Sequence, residues 1–141
     1  MQEFILGNMC QDLLMHTILM CGKVTDKVEE NAPDKKTLRF PKHLYDDIVP
    51  DAKLTAKDIL KNVVMANACK DPVERLKMQQ TAVGLCVYFN KLVFIFKELG
   101  YISDKQRHFW QGKITAIEFK TRNWISFNTK GRRRNLWMIS R

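Results

Sequence analysis

The sequence predicts an all-α protein that forms an antiparallel, up-down-up-down four-helix bundle in a single domain. Apolar residues recur three or four positions apart in four long segments, which is the period of an amphipathic helix. Two of these segments begin with signals for a helix N-terminus, and the third keeps a heptad repeat, which is typical of helix seams in bundles. With 141 residues, 45% of them hydrophobic, the chain can fill one core without a metal ion or a disulfide.

The first helix is predicted from about Glu3 to Asn31, because no proline interrupts its apolar period. Its apolar positions are Phe4, Met9, Leu13, Leu14, Ile18, Cys21, Val24 and Val28. His16 lies within this helix. A lone helical histidine is more often partly buried or solvated than a metal ligand or a base, so no catalytic role is predicted for it.

Residues 32–50 form a long connection, since they hold three of the four prolines and show no sustained period. A short helical turn is expected around Leu44 to Ile48. Loops of this length are often functional. The basic residues in the first half of the connection are offset by aspartates, which favours a solvated loop.

The second helix is predicted from about Asp51 to Lys70, with alanines on its apolar face that let a neighbouring helix pack closely. Lys53, Lys57 and Lys61 follow one another at intervals of four and form a separate ridge, named here the α2 ridge. Two interpretations of the ridge remain open. It is either a solvated face or a strip that contacts phosphates of a nucleic acid.

The third helix is predicted from Pro72 to Leu99. Asp71 is an N-cap acid, Pro72 takes the first helical position, and Glu74 lies near the positive end of the helix dipole. Its core positions keep two heptad registers. These are Ala82, Phe89 and Phe96 in one register and Leu85, Leu92 and Leu99 in the other.

The third helix is also apolar on the side away from this seam, and a helix that is apolar nearly all round is buried on both sides. The residues on this second side are Val83, Val87, Tyr88, Phe94 and Ile95. We expect a second copy of the protein to cover them, which predicts a homo-oligomer. The alternative is that the 32–50 connection covers this side.

The fourth helix begins at a capping box, in which Ser103 and Gln106 each bond a backbone donor of the first turn. Trp110, Ile117 and Trp124 recur every seven residues on its apolar face. A glycine within a basic cluster, Thr129 to Arg134, is expected to end the helix. The predicted boundaries are therefore a bundle of residues 1–131 and a C-terminal extension of residues 132–141.

The charge of the chain is concentrated at its C-terminal end. Residues 1–104 hold 14 Lys or Arg and 14 Asp or Glu, whereas residues 105–141 hold 10 against one, and the formal net charge is +9. A basic end on a neutral body predicts a polyanionic partner, most often a nucleic acid. We expect Arg132, Arg133 and Arg134 to contact it. The apolar residues that follow, among them Leu136, Trp137 and Ile139, are expected to dock on the bundle, a neighbouring subunit or another protein.

The sequence contains no recognisable catalytic or cofactor-binding motif. It has no glycine-rich phosphate loop and no cluster with metal-ligand spacing, and its three histidines lie in three different segments. Its four cysteines form no C-x-x-C pair, and its longest unbroken apolar run, Leu92 to Phe96, is far shorter than a membrane span. We therefore expect a noncatalytic cytoplasmic protein without cofactor, metal or membrane association.

Four short motifs in order point to a family. They are Ala66-Asn67-Ala68, Glu74-Arg75-Leu76, Gly100-Tyr101-Ile102-Ser103, and Trp124-Ile125 followed by Lys130-Gly131. Over residues 8–131 the chain resembles the four-helix-bundle superfamily that includes proteins encoded in 23S rRNA intervening sequences. Within that superfamily it looks most like the accessory variability determinant (Avd) proteins of diversity-generating retroelements.

The resemblance implies a noncatalytic bundle that assembles into a pentamer, binds the retroelement's reverse transcriptase, and binds template RNA or its complementary DNA through a basic surface. By this likeness Lys113, Lys120, Arg122 and Lys130 are basic-surface candidates, and Trp124 anchors the end of the bundle. The long 32–50 connection and the extension beyond Gly131 depart from the family pattern. Two other functions remain open, namely a protein-interaction module and an intervening-sequence protein of unknown role.

Overall fold

The computed structural model describes residues 4–25, 36–38 and 40–139, with the backbone alone at 23–25, 36–38, 42 and 130–139. The described residues form four helices, one 3-10 helix and one two-stranded hairpin. These elements are α1 (Ile5–Cys21), β1 (Lys23–Thr25), β2 (Lys36–Leu38), the 3-10 helix (Lys42–Asp46), α2 (Ile48–Ala68), α3 (Pro72–Glu98) and α4 (Asp104–Ile139).

The four helices pack against one another in a closed order. Helix α2 contacts α1 and α3, and α4 contacts α3 and α1. The predicted all-α class with four helices is confirmed. The antiparallel hairpin, in which Lys23 lies opposite Leu38, is an addition that the sequence did not predict.

Trp110 of α4 lies at the centre of the core and is completely buried. Its ring contacts Phe89 and Phe96 of α3, at centroid distances of 5.8 and 6.0 Å, and His16 of α1 at 5.8 Å. The indole Nε1–H donates a hydrogen bond of 3.2 Å to the buried Thr17 hydroxyl. One side chain thus joins three helices, and its single polar atom is satisfied within the core.

The corner between α3 and α4 depends on a glycine in the left-handed region. Gly100 has φ +83°. Its N–H donates a hydrogen bond to the carbonyl of Lys97 (2.9 Å), and the N–H of Tyr101 donates one to the carbonyl of Phe96 (3.0 Å). These two bonds form a Schellman motif, which satisfies the last carbonyls of α3. The predicted end of the third helix at Leu99 is therefore confirmed to within one residue.

The connection before α2 contributes one large residue to the core. Phe40 is buried, and its ring contacts Phe96 at 4.7 Å and Tyr101 at 5.9 Å. The expected helical turn in this connection is present as the 3-10 helix, two residues earlier than predicted. Phe40 therefore ties the connection to the α3–α4 corner.

The end of α1 and the start of α2 differ from prediction. Helix α1 ends at Cys21, ten residues early, because Gly22 is extended (φ −82°, ψ 179°) and Val24 lies in β1. Helix α2 begins at Ile48 with Pro50 in its first turn. Proline fits there, since the first N–H groups of a helix have no partner within it.

Helix α3 begins as predicted: the Asp71 side chain accepts a hydrogen bond from the N–H of Val73 (3.2 Å), with Pro72 at the first helical position. Arg75 then donates two hydrogen bonds, of 2.6 and 3.1 Å, to the carbonyl of Cys69 beyond the end of α2. The turn between α2 and α3 is thereby fixed from both sides.

Helix α4 does not end at Gly131, as expected, but continues to Ile139. A glycine inside a helix costs about 1 kcal/mol relative to alanine, and the arginines beside it favour the helix. The expected helix end is therefore wrong. The basic and apolar residues beyond Gly131 lie on the same helix as Trp110.

Candidate nucleic-acid interface

The capping box fixes the N-terminus of α4. The Ser103 N–H donates to Gln106 Oε1 (2.8 Å), and the Gln106 N–H donates to Ser103 Oγ (3.0 Å). In the same turn Arg107 bonds Asp104, with its guanidinium nitrogens 2.7 and 2.9 Å from Oδ1, and this neighbouring cation lowers the pKa of Asp104. The predicted start of the helix is confirmed, and Arg107 is occupied within it.

The basic-surface candidates on α4 differ in their surroundings. Lys113 Nζ lies 2.5 Å from Asp12 Oδ2 of α1 and 4.7 Å from the ring centroid of Phe109. Arg122 is paired with Glu118 at 3.0 Å, one turn earlier on the same helix. Both cations therefore have local partners, and a phosphate would compete with those partners for them.

Lys120 lies between these two residues and forms no ion pair with any residue that the structure describes. Its side chain is exposed and lines a cavity near the end of α2. Among the described α4 candidates it is the cation most open to a ligand. Lys130, Arg132, Arg133 and Arg134 are placed on the helix by their backbone, but their side chains lie outside the described residues.

The α2 ridge occupies a different part of the molecule. Lys53 is half-buried, and Lys57 and Lys61 are exposed. Because α2 packs against α1 and α3, and α4 packs against those same two helices, the ridge and the α4 cations do not lie on adjacent helices. Along most of the bundle the ridge and the described α4 cations are therefore separated by α1 and α3.

Four of the exposed apolar residues of α3 lie on one face, which we call the α3 outer face. It consists of Val87, Tyr88, Phe94 and Ile95, which are each 40–47% exposed. Pairs seven residues apart fall on the same side of a helix. Val83 was expected on this face, but it is only 8% exposed and belongs to the chain's own core.

Two observations concern whether other parts of the same chain cover the α3 outer face. Phe40 of the connection contacts Phe96 and Tyr101, neither of which is on the α3 outer face. Tyr88 donates its hydroxyl to the Asp51 carboxylate of α2, and this hydrogen bond raises the pKa of Tyr88. Within the described residues the four side chains therefore stay partly open to solvent.

The predicted docking residues Leu136, Trp137 and Ile139 occupy the last turns of α4. Their side chains lie outside the described residues. Trp124, expected at the end of the bundle, is partly buried and meets the ring of Phe4 edge-on at 5.9 Å.

A groove that the sequence reasoning missed runs between α1 and α4. It has a volume of about 650 Å³, and its lining includes Ile5, Met9, Phe109, Gly112 and Ala116. In the sequence, this groove is indicated by Gly112 and Ala116, which lie four positions apart on the polar side of α4. Small residues leave space between neighbouring helices. The Lys113–Asp12 pair lies in its lining.

In the described residues, the side chains that commonly bind metal ions are not clustered. No group of three or more His, Cys, Asp or Glu side chains in the described part of the chain is placed to hold a metal ion. His16 contacts aromatic rings, and His43 and His108 are exposed on other elements. No helix in the described ranges is both long and apolar enough to span a membrane.

No protein-family model matches the chain, and no curated protein matches it significantly.

Proposed function

We propose that this chain is a noncatalytic accessory protein of a diversity-generating retroelement, similar to the accessory variability determinant. It binds the reverse transcriptase and the template RNA and thereby supports mutagenic synthesis of complementary DNA. The polymerase active site belongs to the partner. The observation that carries the proposal is the single 36-residue helix α4, which links the bundle core at Trp110 to the basic C-terminal region.

The length of α4 supports this role. At 1.5 Å per residue the helix spans about 54 Å, and its residues 104–139 hold nine Lys or Arg against two acids. Cations along a rod contact phosphates over several nucleotides and release condensed counterions, with little readout of base sequence. The protein would hold RNA near the polymerase in this way.

We also infer the up-down-up-down arrangement. Contacts between α1 and α4 run in opposite order along the two helices, from Phe4 with Trp124, through Asp12 with Lys113, to Thr17 with Trp110. The α3 outer face is the surface through which copies would assemble, into a pentamer by the family likeness. Several copies of one basic surface then bind a long RNA by avidity. We place the assembled protein in the cytoplasm.

A salt titration tests the RNA-binding role. Replacing Arg132, Arg133 and Arg134 with alanine should weaken binding to the template RNA and reduce the slope of log K against log salt by up to about 0.7 for each lost phosphate contact. The matched variant replaces Lys53, Lys57 and Lys61 with alanine, so both variants lose three charges. If the arginine variant keeps the affinity and slope of the parent, the basic tail does not bind RNA.

The same pair of variants decides between the two interpretations of the α2 ridge. A ridge that contacts phosphates loses affinity and slope when it is replaced, whereas a solvated face leaves both nearly unchanged. An equal loss in both variants would mean that affinity follows net charge and not location.

The α3 outer face favours a second candidate function, a protein-interaction module whose basic region serves only solubility. Co-purification tests the protein contact that both functions include, whereas the salt titration above tests the RNA binding that only the first includes. Tagged protein that recovers the reverse transcriptase after nuclease treatment supports direct contact between the proteins. Recovery that is lost with the nuclease means that RNA bridges them, and the interaction module is then rejected.

A further inference from the structure

A second cavity, which we call the end cavity, lies where the start of α1, the end of α2 and the middle of α4 meet. Its volume is about 400 Å³, within the range of ligand pockets in proteins. Side chains from all three regions line it. They include Phe4, Asn67, Lys120, Asn123, Trp124 and Phe127.

The α4 side chains of the end cavity share one face of the helix. Positions 123, 124 and 127 lie three, four and seven residues after position 120, which is the spacing of neighbours on a helix surface. The helix is held at this point, because Trp124 packs edge-on against Phe4 with ring planes at 69°. The cavity therefore has an aromatic wall fixed by packing.

Phe127 is the most exposed of the aromatic residues that line the end cavity. It is 78% exposed, and its ring has no aromatic contact among the described residues. The Asn67 and Asn123 amides are also exposed and form no hydrogen bond with a described residue. Each amide offers one acceptor and two donors, so the cavity combines an open ring with uncommitted hydrogen-bonding groups.

The charge of the end cavity is positive. Lys120 lines it without a counter-ion among the described residues, and no acidic side chain is among the residues that line it. The larger α1/α4 groove differs, because its cation Lys113 is paired with Asp12. The groups of one nucleotide match these side chains. A base can stack on the open aromatic ring, its edge can bond to an amide, and the phosphate can pair with the available ammonium group.

We propose that the end cavity binds one unpaired nucleotide of single-stranded nucleic acid, with the base on Phe127, its edge on Asn67 or Asn123, and the phosphate on Lys120. This inference rests on the proposed function in taking nucleic acid as the ligand. It adds a defined site and a preference for unpaired strands. A duplex would be excluded, because its bases are stacked inside the helix.

Fluorescence anisotropy with labelled oligouridylate and oligothymidylate tests the proposal on the full-length protein. Phe127→Ala should weaken binding of the single strand by about ten-fold, the typical effect of losing one base stack. Phe119→Ala is the matched control, since Phe119 is also a strongly exposed ring on α4 (65%) but does not line the cavity. The control should bind as the parent does.

An oligothymidylate with abasic central nucleotides isolates the base from the phosphates. The parent should bind it about ten-fold more weakly than the intact strand, whereas Phe127→Ala should bind both strands alike. Lys120→Gln should lower the affinity and reduce the salt slope by about 0.7. Duplexes of the same length should not distinguish Phe127→Ala from the parent.

Two negative results have different meanings. If the parent binds single strands but Phe127→Ala and Phe119→Ala are both unchanged, or if the abasic strand binds as well as the intact one, the end cavity is not a nucleotide site and the RNA-binding role survives. If the parent binds no strand even at low salt, the proposed RNA binding fails and the nucleotide site fails with it. Comparison of oligouridylate with oligothymidylate shows whether the cavity accepts RNA, DNA or both, and a loss of binding in Phe127→Ala with either strand supports the site.

Discussion

Individual residues in this protein often combine packing with one specific hydrogen bond. Trp110 fills the core and donates its Nε1–H to Thr17, and Tyr88 lies on the α3 outer face and donates its hydroxyl to Asp51. A buried donor without a partner is costly, so the Trp110–Thr17 pairing constrains which residues fit at those two positions, whereas the Tyr88–Asp51 bond is exposed and constrains them less. Gly100 is constrained for a backbone reason instead, because it needs a positive φ.

Gly100→Ala should lower the free energy of unfolding by about 1 kcal/mol, since a side chain is strained in the left-handed region even where no atom obstructs it. Gly112→Ala is the matched control. It lies inside α4 with nothing within 4 Å of the added Cβ, so alanine should raise stability by about 0.5–1 kcal/mol. Urea denaturation measures both, and changes of the same sign would contradict this account.

Two buried thiols predict a loss of stability in alkaline solution. Burial raises the pKa of Cys10 and of Cys86 to about 12, above the value of about 8.5 for an unfolded cysteine. The neutral thiols are therefore favoured in the folded state. Their contribution is complete below about pH 8.5, and it is lost as the pH rises towards 12, because only the unfolded chain releases the protons.

Between pH 8.5 and 10 the free energy of unfolding should fall by up to about 1.4 kcal/mol per pH unit for each of these thiols. Denaturant titrations at several pH values measure the slope. The variant Cys10→Ala/Cys86→Ala is less stable at neutral pH because of the cavities it creates, but its slope should be flatter. An unchanged slope in that variant would assign the alkaline loss to other groups.

At the scale of elements, local signals predicted helix starts better than helix ends. The Asp71-Pro72 start and the Ser103–Gln106 capping box depend on residues three or fewer apart, and both appear in the structure. The end of α1 depends instead on where the hairpin begins, and β1 pairs with a strand more than ten residues away. Three-residue strands are too short to show an alternating pattern, so the sequence could not reveal them.

The registers of α3 show a second limit of sequence reasoning. A strict heptad drifts by about 20° per repeat on a straight helix. Leu99, assigned to the seam by that repeat, is 52% exposed, whereas Val83, assigned to the exterior, is buried. The end cavity was also out of reach, because it brings Asn67 of α2 to residues of α4 that are more than 50 positions away.

Removing the α4 cap should destabilise the fold. Ser103→Ala loses the hydroxyl that accepts from the Gln106 N–H, and N-cap replacements of this kind cost about 1 kcal/mol. Ser126→Ala, an exposed serine inside the same helix, should be neutral or slightly stabilising. Thermal unfolding followed by circular dichroism compares the two, and equal midpoints would mean that the cap contributes little.

At the scale of the whole molecule, the α3 outer face predicts self-association. Light scattering should find a homo-oligomer at micromolar concentration. Phe94→Asp should convert it to a folded monomer, because the ring is 47% exposed within one chain and a carboxylate there costs little until a second copy covers it. Phe119→Asp alters an exposed ring away from this face and should leave the oligomer intact. A monomeric parent protein would reject the assembly.

The continuity of α4 has a geometric consequence. Residues before and after Gly131 belong to one continuous helix, so the direction of the basic end about the helix axis follows from the packing of Trp110 in the core. Inserting one alanine after Ser126 would turn that end by about 100°, whereas inserting seven would return it to within about 20° and move it by about 10 Å.

If binding of a partner depends on the direction of the basic end about the helix axis, the one-residue insertion should reduce RNA or reverse-transcriptase binding more than the seven-residue insertion does. Pull-down of the two variants against the parent measures the difference. Equal binding by both would mean that the end of α4 acts only as a tether for charge. A larger loss of binding for the one-residue insertion would mean that the bundle fixes the direction of the basic end about the helix axis. The length of α4 alone would then not account for recognition.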